Sequence, residues 1–247
     1  MENVIEMKGV YKSYGTKQVL KDFNLTLAKG ESVVMLGPSG AGKSVSTRIM
    51  LGLERTDRGR VSVFGEDLAK SSEEDIFRLN RKMGMLFQNG ALFDSLSVWE
   101  NVAFSLIHND DMKDAEARKL AIDKLSSVGL APSVADLMPA QLSGGMIKRA
   151  ALARAIASDP EVIFFDEPTT GLDPIMGDQI SELIAGQVSS LGATAFTITH
   201  DIASAMIIAS RIVMLHEGRI VWEGKPADLR APGNKVVAEF VGARKPC

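Results

Sequence analysis

The sequence predicts an α/β fold in which a largely parallel sheet is covered by helices on both faces, and three observations predict it. Short apolar runs, SVVML at 32–36, VIFF at 162–165, TAFTIT at 194–199 and RIVML at 211–215, alternate with helix-like segments. Strands that are apolar on both sides and separated by helices mark a buried parallel sheet. A glycine-rich loop, GPSGAGKS at 37–44, stands between the first of these runs and a helical stretch. From about Trp99 to Asp159 the pattern is helical, so a helical subdomain is expected inside the sheet-forming sequence.

Each element follows from its own pattern. VIEMKGVY at 4–11 alternates apolar and polar residues, and QVLKDFNLTLA at 18–28 follows a turn at Gly15, which predicts an antiparallel β region at the N-terminus. A helix is expected from Lys43 to Gly52, and RVSVF and MGMLF read as further short strands. In DAEARKLAIDKLSSVGL, at 114–130, Ala117, Leu120, Ala121 and Leu125 fall on one helical face and the charges on the other. GMIKRAALARAIAS is rich in helix formers and stops at Asp159, as a residue before a proline should. The expected organisation is a core formed by about 1–90 and 160–225, a helical subdomain at about 91–159, and a short helical tail at 226–247.

Composition narrows the function. A 247-residue chain with 45% hydrophobic residues can bury one large core. Its net charge of -3 gives no basic field for nucleic acid or anionic lipid. The single cysteine, Cys247, forms no disulfide framework and fits a reducing compartment. The N-terminus lacks the basic-then-apolar order of a signal peptide, and no apolar run approaches the eighteen or so residues that cross a bilayer. The expectation is a soluble chain whose role at a membrane comes through a partner.

The chemistry sits at the ends of the apolar runs. GPSGAGKS fits the phosphate-loop pattern G-x-x-x-x-G-K-[ST], with a strand before it and a helix after it. Gly37, Gly40 and Gly42, with Pro38, Ser39 and Ala41 between them, let backbone N–H groups converge on phosphate oxygens at a helix N-terminus. Lys43 would reach the β- and γ-phosphates, and the Ser44 hydroxyl would bind Mg²⁺. Asp166 and Glu167 close the run VIFF, where ligands sit in open α/β sheets. Asp166 suits a Mg²⁺-holding carboxylate, and Glu167 could orient the attacking water; taken alone, such a pair is more often two solvated acids, and it is the phosphate loop in the same chain that favours the chemical reading. His200 closes TAFTIT and is either structural or part of the reaction. A second anion-receiving pattern, Ser143, Gly144 and Gly145 in QLSGGMIKRA, precedes a helix but has no lysine where a phosphate loop carries one.

In that order, GPSGAGKS, LSGGM, VIFFDE, GLDP and TITHD resemble the ATP-binding subunit of ABC (ATP-binding cassette) transporters over essentially the whole chain. The resemblance implies a phosphate-loop NTPase core with a RecA-like mixed sheet, ATP and Mg²⁺ as cofactors, and a homodimer that sandwiches two ATP. LSGG would then bind the γ-phosphate of nucleotide held by the second copy, with Asp173 of GLDP at the meeting surface. Tyr14 in KSYG sits where the family stacks an aromatic ring on adenine, and Gln88 in LFQNG matches the glutamine that reaches Mg²⁺ and water. Met146 stands where the family usually has glutamine, which leaves a polar contact to ribose without its donor.

FQNGALFDSLSVWENVAF, at 87–104, together with LSGGM is similar to the ATPases of Mla-type phospholipid systems and other MCE-protein-linked lipid and sterol importers. It is similar, less specifically, to those of amino-acid and organic-solvent-tolerance systems. The partners this implies are a membrane permease (MlaE-like), a small STAS-domain regulator (MlaB-like) and an MCE-domain protein (MlaD-like), at the cytoplasmic face of the inner membrane. Ala91, Leu92, Phe93 and Trp99 would meet the permease or fill the subdomain's own core. Among non-transport cassettes, a DNA-repair or translation cassette would show tandem cassettes, zinc-binding cysteines or long coiled-coil insertions, and a GTPase an N-K-x-D motif; none is present, which leaves an iron–sulfur-assembly ATPase as the non-transport alternative.

Overall fold

The computed structural model describes residues 2–242; the predicted tail beyond 242, with Cys247, lies outside the described residues. In chain order the first half runs β1 (Asn3–Tyr14), β2 (Lys17–Ala28), β3 (Ser32–Leu36), α1 (Lys43–Met50), β4 (Arg58–Val63), β5 (Glu66–Asp67), α2 (Glu73–Asn80), β6 (Met83–Leu86), α3 (Val98–Asp110) and α4 (Asp114–Ser127). It continues with α5 (Gly144–Ala155), β7 (Val162–Asp166), α6 (Pro174–Leu191), β8 (Thr194–Thr199), α7 (Ile202–Ile208), β9 (Arg211–His216), β10 (Arg219–Gly224) and α8 (Lys235–Gly242). These elements form two compact units: the chain up to Asn80 together with the residues from Ala193 onward, and Arg81–Gly192.

The first unit contains an antiparallel sheet ordered β2-β1-β4-β5. Alternation is what builds it: Ile5, Met7 and Val10 of β1 and Leu20, Phe23, Leu25 and Leu27 of β2 are buried, and their polar neighbours are not. Its second layer of strands is β3 paired in parallel with β8 on one side and β9 on the other, and β10 antiparallel to β9. All six residues of β8 are buried, as are the last four of β3. Arg211 of β9 ties this layer to the turn before β3, donating to Glu31 at 2.6 and 2.9 Å. Burial works to raise the Glu31 carboxyl, but Arg211 and the Ala28 amide outweigh it and hold it below its ordinary range.

The second unit pairs β6 and β7 in parallel, Leu86 opposite Phe165, and carries α3, α4, α5 and α6. Val162, Ile163, Phe164 and Phe165 are each at most 1% exposed. Each such burial contributes about 1.5–3 kcal/mol, which holds the strand end that carries Asp166. Ala117, Ala121 and Leu125 of α4 are buried and Leu120 is half-buried, as the helical face required. The helical stretch is interrupted between α4 and α5, where Pro132 and Pro139 open short 3₁₀ turns. Likewise α1 ends at Met50 rather than Gly52, which turns out of the helix at φ 68°. Among elements that patterning did not single out, α2 and β10 are the clearest.

Candidate functional site: two helix openings and two strand ends

In the first unit, β3 feeds the glycine-rich loop. Leu36, its last residue, lies opposite Thr199 of β8, so the loop and His200 leave neighbouring parallel strands at the same edge. Two glycines are required by space. A Cβ at Gly37 would stand 2.5 Å from the Leu215 carbonyl oxygen, and one at Gly42 would stand 2.9 Å from Leu20 Cδ2. Gly40 and Gly42 also take φ of 77° and 112°, which other residues rarely adopt. The resulting turn opens α1 with amides that have no intrahelical partner, an arrangement that receives anions. Lys43 is 8% exposed, and its Nζ donates to the carbonyls of Gly37 at 2.7 Å and Pro38 at 3.2 Å, so the cation lies within the loop. Ser44, one residue on, is exposed, as are Ser39 and Gly40.

Tyr14 ends β1, in the hairpin whose Val19 and Leu20 close over Gly42. Its ring is 45% exposed, and its hydroxyl donates to Glu54. Lys12 lies 5.3 Å over the ring and 3.1 Å from Glu54, and Arg48 of α1 reaches the same carboxylate at 3.4 Å. Partial burial and then Glu54 push the Tyr14 hydroxyl up. The side chain is thus part-exposed, with Lys12 over the ring and the hydroxyl fixed on Glu54.

In the second unit, the parallel register of β6 and β7 brings Gln88, Asp166 and Glu167 to one edge. Asp166 and Glu167 are half-buried and Gln88 is exposed. Glu167 takes φ 47°, a left-handed backbone that costs about 1–3 kcal/mol in a residue other than glycine. Thr170 donates to its Oε2 at 3.2 Å. Strain of this kind persists where the surrounding structure holds a side chain in a required direction.

The same unit carries the second anion pattern. Ser143 caps α5 by accepting the Met146 amide at 3.3 Å, and Asp173 caps α6 by accepting the Met176 amide at 3.0 Å. The two openings are neighbours: a Cβ at Gly145 would stand 2.6 Å from Met176 Cε. Gly144 and Gly145 are the first residues of α5, before the intrahelical ladder begins. The lysine of this helix, Lys148, is 6% exposed and donates to the Gln88 carbonyl, not to the helix opening. Burial draws its ammonium below the ordinary lysine range, while the charges of Asp166 and then Glu167 act in the opposite sense. Arg154, further along α5, donates to the carbonyls of Ala91 at 2.6 Å and Gly90 at 2.7 Å.

The predicted residues therefore fall into two groups. Tyr14, the 37–44 loop and His200 share the first unit; Gln88, Ser143, Gly144, Gly145, Asp166, Glu167 and Asp173 share the second. Patterning missed Glu54, Lys148, Arg154 and Thr170. No spacing signal marks them, because each is defined by what it touches across the fold.

A phosphate loop on α1, an acidic strand end and a serine-capped second opening are the parts of an ATP-binding cassette, and comparison with known proteins agrees. The family model described as ABC transporter matches residues 20–170. The chain belongs to the ABC transporter family. It is 37% identical over 98% of its length to the "Probable ribonucleotide transport ATP-binding protein mkl" of Mycobacterium tuberculosis, spanning 67% of that protein. It is 35% identical over 97% of its length to the "Intermembrane phospholipid transport system ATP-binding protein MlaF" of Haemophilus influenzae, spanning 90% of it. Among solved structures, the ATP-binding cassette MJ0796, a dimer bound to ADP and Pi in a post-hydrolysis state, superposes with a TM-score of 0.82 at 34% identity. That match covers 90% of this chain and 98% of MJ0796. The chain is an ABC ATPase that binds and hydrolyses ATP.

Proposed function

We propose that this ATPase works as a homodimer closed around two Mg-ATP and powers a lipid transporter of the Mla/MCE type. One observation carries the paired arrangement. The α5 opening offers Ser143 and two glycine amides but no cation, because Lys148 is turned to Gln88. An opening of that kind completes a γ-phosphate site held elsewhere and cannot hold nucleotide alone. The MJ0796 dimer, by its own description, supports the same reading.

Within each site Lys43 and the loop amides neutralise the phosphates, Tyr14 stacks on adenine, and Ser143, Gly144 and Gly145 of the second copy receive the γ-phosphate. Asp173 lies at the surface where the copies meet. Glu167 takes the position that orients and polarises water, and His200 supports the γ-phosphate edge. Ser44, Gln88 and Asp166 present a hydroxyl, an amide and a carboxylate, the hard oxygen donors that suit Mg²⁺. No group of three or more His, Cys, Asp or Glu suited to a metal occurs among the described residues, so phosphate oxygens would complete that shell. When bound, Mg²⁺ supplies charge neutralisation of the transferring phosphoryl group.

Residues 91–159 act as the helical signature subdomain in this proposal, and the 87–104 stretch receives the permease. Phe87 and Phe93 are 43% and 45% exposed, Phe93 stacked 4.6 Å from Phe104, an apolar surface of the kind that partners cover. Ala91 is exposed, while Leu92 and Trp99 are half-buried. No helix among the described residues is long and apolar enough to cross a membrane; in this proposal an MlaE-like permease supplies the passage. An MlaD-like MCE protein and an MlaB-like STAS protein complete the assembly at the cytoplasmic face of the inner membrane. The lipid assignment rests on the MlaF match spanning nearly all of both chains. Purification from the native membrane in mild detergent, with mass spectrometry of co-eluting proteins and lipids, tests it. An MCE-domain protein and phospholipid are expected; a soluble-substrate binding protein in their place would move the cargo to another ABC class.

A further inference from the structure

We propose that Lys148 is a positioning residue for hydrolysis, its buried ammonium fastening the Gln88 backbone to the signature helix at the strand edge that carries Asp166 and Glu167. The inference rests on the reading of Gln88, Asp166 and Glu167 as the reactive group, and goes beyond it by naming what holds that group to α5.

Four observations converge on the loop after β6. Lys148 is 6% exposed and donates to the Gln88 carbonyl. Six residues along the same helix, the guanidinium of Arg154 spans two further carbonyls of the loop, Gly90 at 2.7 Å and Ala91 at 2.6 Å. Gly90 is itself pressed onto α5 so closely that a Cβ there would lie 2.7 Å from Ile147 Cγ2. Ala91 is left in the left-handed region at φ 49°, which only a fixed surrounding maintains. The loop is thus gripped at three acceptors, the carbonyls of Gln88, Gly90 and Ala91, by one helix, and that helix is the one that opens at Ser143.

Burying an ammonium is unfavourable unless acceptors and opposite charges compensate. A methionine of similar length would pack at 148 without that cost, so packing alone does not require a lysine there. The charge becomes useful if the carbonyl of Gln88 must be held and the field of the two carboxylates balanced at the same point. Any shift of α5 that follows engagement of Ser143 would then be carried to Gln88 through Lys148 and Arg154.

The test compares Lys148→Met, Lys148→Arg and Glu167→Gln in the full-length protein. In nucleotide-free protein, hydrogen exchange at the Gly90 amide, which is bonded to the Phe87 carbonyl at 2.9 Å, reads the loop directly. Lys148→Met should exchange about ten-fold faster there. Its kcat should fall about ten-fold while KM for ATP stays within about two-fold. Lys148→Arg, which keeps the cation, should recover most of both losses. Should Lys148→Met fail to fold, Lys148→Gln, which keeps a donor without the charge, is read the same way. Unchanged exchange and kcat in the charge-removed variant would overturn the inference, as would a loss of thermal stability with normal kcat per folded molecule. If Glu167→Gln itself turned over at the wild-type rate, the underlying reading of the site would fall instead. If only Glu167→Gln were slow, that reading would stand and the role of Lys148 would not.

Discussion

Two helices of this molecule open on small residues, Gly42 and Ser143, yet they are built differently. At α1 the opening residue is Gly42, in a left-handed turn with no side-chain cap, and a lysine follows at once. At α5 the opening residue is Ser143, in an extended conformation, and its hydroxyl serves its own helix. Each helix has a buried lysine, but Lys43 faces the loop carbonyls and Lys148 faces Gln88. The first opening joins amides to a fixed positive charge and can hold a triphosphate. The second has the helix-end partial charge alone, about half an elementary charge, and can assist only where a phosphate is already held. In the proposed paired arrangement, this small difference in local chemistry separates the opening that holds the nucleotide from the one that completes its site.

The comparison can be broken at either helix. Lys43→Ala removes the charge at α1, and ATP affinity measured on dilute protein should fall about a hundred-fold, close to 2.7 kcal/mol. Ser143→Arg blocks the α5 opening. Affinity of the dilute chain for ATP should then stay within about two-fold while turnover falls at least about a hundred-fold. If Ser143→Arg weakened nucleotide binding as much as Lys43→Ala, the two openings would not be different kinds of site.

Smaller effects sharpen the same contrast through stability. Gly42→Ala places a Cβ against Leu20 at a φ of 112°, and should cost about 1–3 kcal/mol in chemical denaturation. Gly144→Ala meets nothing within 4 Å, and should change stability by less than about 0.5 kcal/mol. Equal costs at the two glycines would mean that the α1 turn is not under the constraint its geometry implies.

Much of the fold was legible because its signals are local. The run VIFF is apolar on both faces, so its burial and the placement of Asp166 at its end follow from four letters. The 37–44 loop was legible because its backbone demands glycine, and that demand is written at Gly37 and Gly42 themselves. The signature helix shows where such reading stops. In GMIKRAALARA, Lys148 and Arg154 look like the charged side of a surface helix, and burial turns them inward onto a loop sixty residues earlier in the chain. Tyr14 was legible as an aromatic at a strand end, but its Glu54 anchor lies forty residues away and no spacing announces it. The break between α4 and α5 lies between these cases: Pro132 and Pro139 were visible, while the helical composition around them argued for continuity.

The central claim is that each chain carries half of every hydrolytic site. Lys43→Ala has a damaged α1 opening and a sound α5 opening; Ser143→Arg has the reverse. Each variant alone should be nearly inactive, and mixing them should restore ATP hydrolysis, because a mixed pair assembles one site from two undamaged halves. Phosphate release from an equimolar mixture, set against each variant alone, measures this directly. Recovered turnover is the expected result; a mixture as inactive as its components, or Ser143→Arg alone hydrolysing ATP at the full rate, would contradict the claim.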